Sequence, residues 1–287
     1  MIVTAILHAA MLRAALILIL GMSLVPFGDS AGKLLVEGRE VSPLFVAWSR
    51  FALGVLLVLP FLGPHHHSRA YYTDWRLWLR AGLIAGGIVS ILTALRTEPL
   101  PNVFGAFFVG PIVSYILSAL LLGERVTLAR SLLVAVGFAG VLLVVRPGFG
   151  MTPGLGFAVL AGLFYGSYLT ASRWLREAAP PRSLLLTQLV GGAVLTLPFG
   201  LAAWPPIDAA TAGLIVWSAA ASMGGNLLLI LAYRMAPATR LAPFIYFQLV
   251  FATLYGVLIF GDVPDALTLT GLLLLMGSGF ASLVLRR

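Results

Sequence analysis

The chain contains no cysteine, which excludes disulfides, thiol nucleophiles and thiolate metal ligands. Charge is scarce: 10% of its 287 residues are Asp, Glu, Lys or Arg, against roughly 25% in a soluble domain. There is no GxxxxGKS/T to cradle phosphates, no HExxH to hold zinc, and no carboxylate pair at the centre of an apolar run. These absences argue against ATP hydrolysis, metalloproteolysis and enzymatic work in general, and no cofactor or metal is expected. His65, His66 and His67 share one loop with no second ligand cluster and read as solvated residues.

What is present is overwhelmingly apolar. Hydrophobic residues make up 60% of the chain and the mean hydropathy is +1.04, so the medium is a lipid bilayer. The net charge of +8 is better explained by arginines placed at one membrane face than by nucleic-acid binding. The 31 glycines and 17 prolines suit helices that pack closely or break within a membrane.

A spanning helix needs about 20 mostly apolar residues. Ten such runs occur, at about 13–35, 43–62, 76–96, 100–122, 128–146, 153–175, 183–203, 209–232, 240–260 and 267–285. The first follows Arg13 like a signal peptide, but no soluble domain follows it, so an uncleaved span is expected. Placing successive connections on alternate faces puts 13 of the 18 Lys and Arg residues on the face with both termini and four on the other, with Arg50 inside a span. Because cytoplasmic loops are rich in Lys and Arg, both termini are expected in the cytoplasm, at an inner (plasma) membrane.

The chain repeats itself. At an ungapped offset of 138 residues (234 − 96), Arg96 pairs with Arg234, Pro99 with Pro237, Gly28 with Gly166, Pro43 with Pro181, Gly54 with Gly192 and LPF at Leu59 with LPF at Leu197. The glycine pair Gly86 and Gly87 matches Gly224 and Gly225, and Gly123 matches Gly261. Each copy, 1–147 and 148–287, holds five spans. Five is odd, so the second copy enters the membrane from the opposite side, as in many secondary transporters. The expected fold is an all-α membrane protein of ten transmembrane helices in two inverted five-helix repeats. The Arg of each hairpin is expected to bind free carbonyls at a helix end, and Pro99 and Pro237 to form stiff corners. The four glycines are expected to let helices bend or slide.

PNVFGAFFVGPIVSYILSALLLGERVT from Pro101, RLAPFIYFQLVFATLYGVLIFGDVPDALTLTG from Arg240 and WSRF at Trp48 resemble the drug/metabolite transporter superfamily, specifically its EamA-type ten-helix permeases. The resemblance covers nearly the whole chain and leans toward the YddG-like exporters of aromatic and other amino acids. It implies a membrane transporter exporting amino acids or similar small metabolites. Uptake of a nutrient such as S-adenosylmethionine or riboflavin is the alternative, and a non-transporting scaffold or receptor is the alternative of another class.

Polar stripes in lipid must face protein or water, so they mark cavity walls or interhelical bonds. The eighth span offers Ser218, Ser222 and Asn226 on the face of Gly225; the third offers Ser90 beside Gly86; the first offers Ser23 and Phe27; the fourth offers Asn102. Tyr165 and Tyr168 in the sixth span, and Tyr246 and Gln248 in the ninth, supply flat rings and orienting polar groups for a small-molecule substrate. Arg50 lies roughly 10 Å into the second span and needs a partner, which Asp29 or a substrate carboxylate would supply. The aliphatic fifth and tenth spans suit peripheral scaffold or a dimer contact in a monomer or weak homodimer.

Overall fold

The computed structural model describes residues 2–61, 70–124, 127–148, 150–175, 177–235 and 241–284. Pro237 and the three consecutive histidines lie outside these. Among the described residues the chain is helical throughout, without strands.

The helices run in chain order as α1 (Ile2–Val36), α2 (Pro43–Val58), α3 (Trp75–Leu95), α4 (Leu100–Phe107 continuing as Val109–Leu122), α5 (Leu128–Val145), α6 (Pro153–Trp174), α7 (Pro181–Ala202), α8 (Ala209–Met235), α9 (Ala242–Tyr246, Phe247–Tyr255 and Gly256–Phe260 end to end) and α10 (Ala266–Val284). Among the described residues seven helices are long and apolar enough to cross a membrane, and Pro43–Val58, Phe244–Phe260 and Ala266–Ala281 are shorter apolar helices. Together they are the ten expected spans. Local chemistry sets the ends. The side chains of Ser42, Asp74, Thr127 and Thr152 accept first-turn amides of α2, α3, α5 and α6. The repeat mates Gly123 and Gly261 end α4 and α9 in the left-handed region, at φ 65° and 73°.

The α3–α4 hairpin closes differently from expectation. Arg96 is exposed and its guanidinium makes no hydrogen bond among the described residues; the Ala94 carbonyl is instead capped by the amides of Thr97 and Glu98 at 3.2 and 3.0 Å. Backbone donors already in place make the guanidinium unnecessary. Pro99 immediately precedes α4, as expected of a corner. α4 breaks at Phe108, because Pro111 has no amide to donate to the carbonyl of Phe107. α9 changes from 3₁₀ to α-helix beyond Tyr246, the repeat mate of Phe108, and the two rings pack at 5.3 Å between centroids.

Packing follows the inverted symmetry. α1 lies on α8 as α6 lies on α3, α4 on α6 as α9 on α1, and α2 on α7 and α5 on α10 pair each helix with its own mate. Close approach needs glycine at several crossings: a Cβ on Gly225 would meet the Gly21 carbonyl at 2.9 Å, and one on Gly140 the Gly271 carbonyl at 2.7 Å. One apolar cluster, containing Leu35, Phe45, Leu95, Phe104, Leu155, Ile215 and Leu249, joins both repeats on the face opposite the chain ends. On the face where α1 begins, the core is divided. Phe51, Leu185, Leu186 and Leu189 form one cluster with Met223, and Leu18, Met22, Ala232 and Leu241 form another.

Candidate functional site: a central cavity between the repeats

Between these two clusters lies a cavity of about 150 Å³. Its walls are largely apolar, from Met22 and Val25 of α1, Phe51 of α2, Ile84, Ile88 and Ile91 of α3, Phe107 of α4 and Leu185 and Leu189 of α7. Its polar groups are few: Asp29, Arg50, Gln188, Ser222, Asn226 and Gln248, with Tyr165 beside Phe107 at 4.9 Å between ring centroids.

Arg50 is 7% exposed and Asp29 4%. The Arg50 Nη1 donates to Asp29 Oδ1, Nη2 to the Gly28 carbonyl oxygen at 3.0 Å, and Nε to the Ser218 hydroxyl at 2.7 Å. The guanidinium lies so close to Gly32 that a Cβ there would collide with it. Three acceptors hold the fork while its edge borders the cavity, so the site carries one cation and one anion. Gln248 makes no hydrogen bond among the described residues, and the buried Ser222 hydroxyl has none either. The Gln248 carboxamide is therefore available to a ligand, whereas the Ser222 hydroxyl is buried against Gly28.

The face opposite the chain ends is cross-linked between the halves. Lys33 is 3% exposed, because its ammonium is consumed by protein acceptors. It donates to the Glu98 carbonyl oxygen at 2.8 Å and to Asp262 at 3.3 Å, and it pairs with Glu37 at 3.4 Å. Arg39 donates to Asp208 at 2.9 Å and Thr211 at 2.8 Å; Arg146 binds Asp265 and, at 3.3 Å, Thr268. The hydroxyl and amide of Thr211, with Arg39, hold the Asp208 carboxyl well below the usual range. Arg146, with the Thr268 amide, does the same to Asp265. In the Lys33–Asp262, Arg39–Asp208 and Arg146–Asp265 pairs the base comes from the first half of the chain and the acid from the second. The cavity is therefore sealed on this face.

Of the expected site residues, Arg50, Tyr165, Ser222, Asn226 and Gln248 line the cavity, as do Gly87 and Gly225. The other six lie elsewhere. Ser23 donates to its own helix at the Leu20 carbonyl, and Phe27 packs between Trp217 and Tyr255. Ser90 is buried off the cavity wall, and Asn102 borders a separate recess with Pro99 and Asp262 on the sealed face. Tyr246 packs on Phe108 and against Gly279. Tyr168 stands one layer back, donating to Gln188 Oε1 at 2.7 Å. Gly86 receives the Phe164 ring and Gly224 faces Leu24, both plain packing contacts. Two further polar residues, Gln188 and Arg80, are not among the expected site residues. Gln188 is the repeat mate of Arg50, which was its signal. Arg80, which the alternation of connections groups with the arginines of the face of the chain ends, lies five residues inside α3 and is 6% exposed.

This geometry can be set beside known proteins. A family model described as the EamA-like transporter family matches residues 12–146 and again 152–284. The chain belongs to that family. It is a membrane transporter, in line with its relatives' names. An S-adenosylmethionine uptake transporter of Rickettsia prowazekii is 24% identical over 244 residues, covering 83% of this chain and 82% of the relative. A riboflavin transporter of Rhizobium johnstonii is 28% identical over 81% of this chain and 78% of its own. A pseudopaline exporter of Pseudomonas aeruginosa is 26% identical over 79% and 81%. A solved crystal structure shares the fold, with a TM-score of 0.66 over 98% of both chains at 19% identity. These relatives' names span uptake and export, and they do not include an exporter of aromatic amino acids.

Proposed function

We propose that this transporter exports amino acids, aromatic ones included, or similar zwitterionic metabolites, by alternating access at the cavity between its repeats. The carrying observation is the Arg50–Asp29 pair in an otherwise apolar wall. A zwitterion can meet this pair with its own carboxylate and ammonium, exchanging one ion pair for two without leaving a charge unpaired in the membrane. The apolar walls then receive the side chain, and Tyr165 and Phe107 offer ring faces to a planar one. The excess of Lys and Arg on the face of the chain ends supports an orientation with both termini in the cytoplasm of a bacterial-type inner membrane. The cavity is then sealed toward the outside, an inward-facing state, and Gly87 and Gly225 are the positions where helices slide. The chain works as a monomer or weak homodimer, with the exposed aliphatic faces of α5 and α10 as the contact.

Counterflow in proteoliposomes tests the substrate. Internal L-tryptophan or L-phenylalanine should drive uptake of label, and S-adenosylmethionine and riboflavin should not. The names of the relatives favour the second reading, nutrient uptake; counterflow driven by S-adenosylmethionine or riboflavin alone would establish it in place of amino-acid export.

A further inference from the structure

Arg80 is a buried guanidinium with no carboxylate partner among the described residues. It is held by neutral oxygens: Nε donates to the Ser172 hydroxyl at 2.8 Å, Nη1 to the Leu184 carbonyl at 2.9 Å and Nη2 to the Tyr168 hydroxyl at 2.8 Å, while its Cζ lies 4.8 Å from the Tyr168 ring centroid. Arginine has only donors, so the Tyr168 oxygen must accept from it. The single phenolic proton is left for Gln188 Oε1, at 2.7 Å. That fixes the carboxamide, which could otherwise be turned over without penalty. Its carbonyl end faces Tyr168, and its amino end, unpaired among the described residues, belongs to the cavity wall.

The inverted repeat gives this cluster a counterpart. Gln188 is the mate of Arg50, and Arg80 is the mate of Ser218, each 138 residues on. In the first pairing Arg50 donates directly to Ser218; in the second, Arg80 acts on Gln188 through Tyr168. Equivalent positions in the two halves thus present a donor to one cavity, charged from α2 and neutral from α7.

We propose that Arg80 is a positioning residue: through Tyr168 it aims the Gln188 amino group into the cavity as a hydrogen-bond donor to the substrate's carboxylate, which Arg50 also receives. The ligand half of this inference rests on the amino-acid reading above, whereas the relay stands on its own. A carboxylate has about four lone-pair sites and readily accepts from both donors. The relay makes one of them permanent before substrate arrives, which lowers the ordering cost of binding.

The chain has two glutamines, Gln188 and Gln248, both on the cavity wall. Selective ¹⁵N labelling of glutamine side chains in the full-length protein in nanodiscs therefore yields two amide pairs in an NMR spectrum. Tyr168→Phe, which keeps the ring, should move the Gln188 pair and leave the Gln248 pair in place. Arg80→Met, which adds no glutamine, should do the same, and Arg80→Lys should fail to restore the native position because an ammonium lacks the fork. An unmoved Gln188 pair in Tyr168→Phe overturns the relay. In counterflow with L-tryptophan, Tyr168→Phe and Gln188→Leu should each raise half-saturation by up to about tenfold, the scale of one lost hydrogen bond, and more than they lower turnover. The double variant should be no worse than Gln188→Leu. Additive losses, or equal competition by tryptamine, which lacks the carboxylate, overturn the donor role. Absence of tryptophan counterflow by the native protein refutes the amino-acid reading and the ligand half with it, and the amide spectrum still decides the relay.

Discussion

Asp29→Asn isolates the buried charge pair with the smallest change in shape. The variant keeps an oxygen that can accept from Arg50, but it leaves a guanidinium unneutralised in the membrane interior. Breaking a buried pair by removing one partner costs about 3–5 kcal/mol. Here Arg50 retains Ser218 and the Gly28 carbonyl as acceptors, so the lower end, about 3 kcal/mol, is expected. At about 2 °C per kcal/mol for a chain of this size, the midpoint should fall by about 6 °C. Thermal unfolding of the purified protein in nanodiscs, followed by circular dichroism, reads this directly. The double variant Asp29→Leu with Arg50→Met removes both charges and should recover most of that stability, as apolar replacements of buried pairs often do. It should not recover transport, because the groups meant for a zwitterion are gone. A native midpoint in Asp29→Asn would refute the buried-charge reasoning. Native counterflow by the double variant would show that the pair is structural and takes no part in binding.

Further outcomes follow from the same contacts. Lys33→Met removes the link from α1 to Asp262 and the Glu98 carbonyl; it should unseal the far face, so that a cysteine at Ser222 in this cysteine-free chain reacts several-fold faster with a membrane-impermeant thiol reagent added there. Asp208 and Asp265 titrate below their ordinary value near 4. A depressed folded pKa contributes stability above the unfolded pKa and loses it as pH falls through the folded one. Both links should therefore survive at pH 5, and the same labelling rate should rise only below about pH 4. Gly166→Ala would push a Cβ to 2.5 Å from the Gly110 carbonyl, which backbone cannot yield cheaply; a loss of about 1–3 kcal/mol on thermal unfolding is expected, and an unchanged midpoint would show that α4 and α6 separate freely.

The sequence by itself determined the medium, the ten spans and the inverted repeat. Each depends on composition, run length or spacing along the chain, quantities that need no tertiary contact to be read. It also determined that Arg50 required a partner, because a charge seven residues into a span has no solvent to turn to, and it named Asp29 among the choices. Which polar residues meet at the cavity was decided only by tertiary structure. Ser23 and Asn226 are both polar residues in apolar helices; rotation of α1 and α8 about their axes turns the first to its own backbone and leaves the second on the cavity wall. Tyr246 and Gln248 are two residues apart on α9, and the packing of Tyr246 on Phe108 and Gly279 leaves the wall to Gln248. Alternating the connections between the two faces groups Arg80 with the arginines of the face of the chain ends. Ser172, the Leu184 carbonyl and Tyr168, lying 92, 104 and 88 residues away in the chain, hold it inside instead. Hydrogen bonding across helices is set by which faces meet, and no periodicity along one helix carries that information.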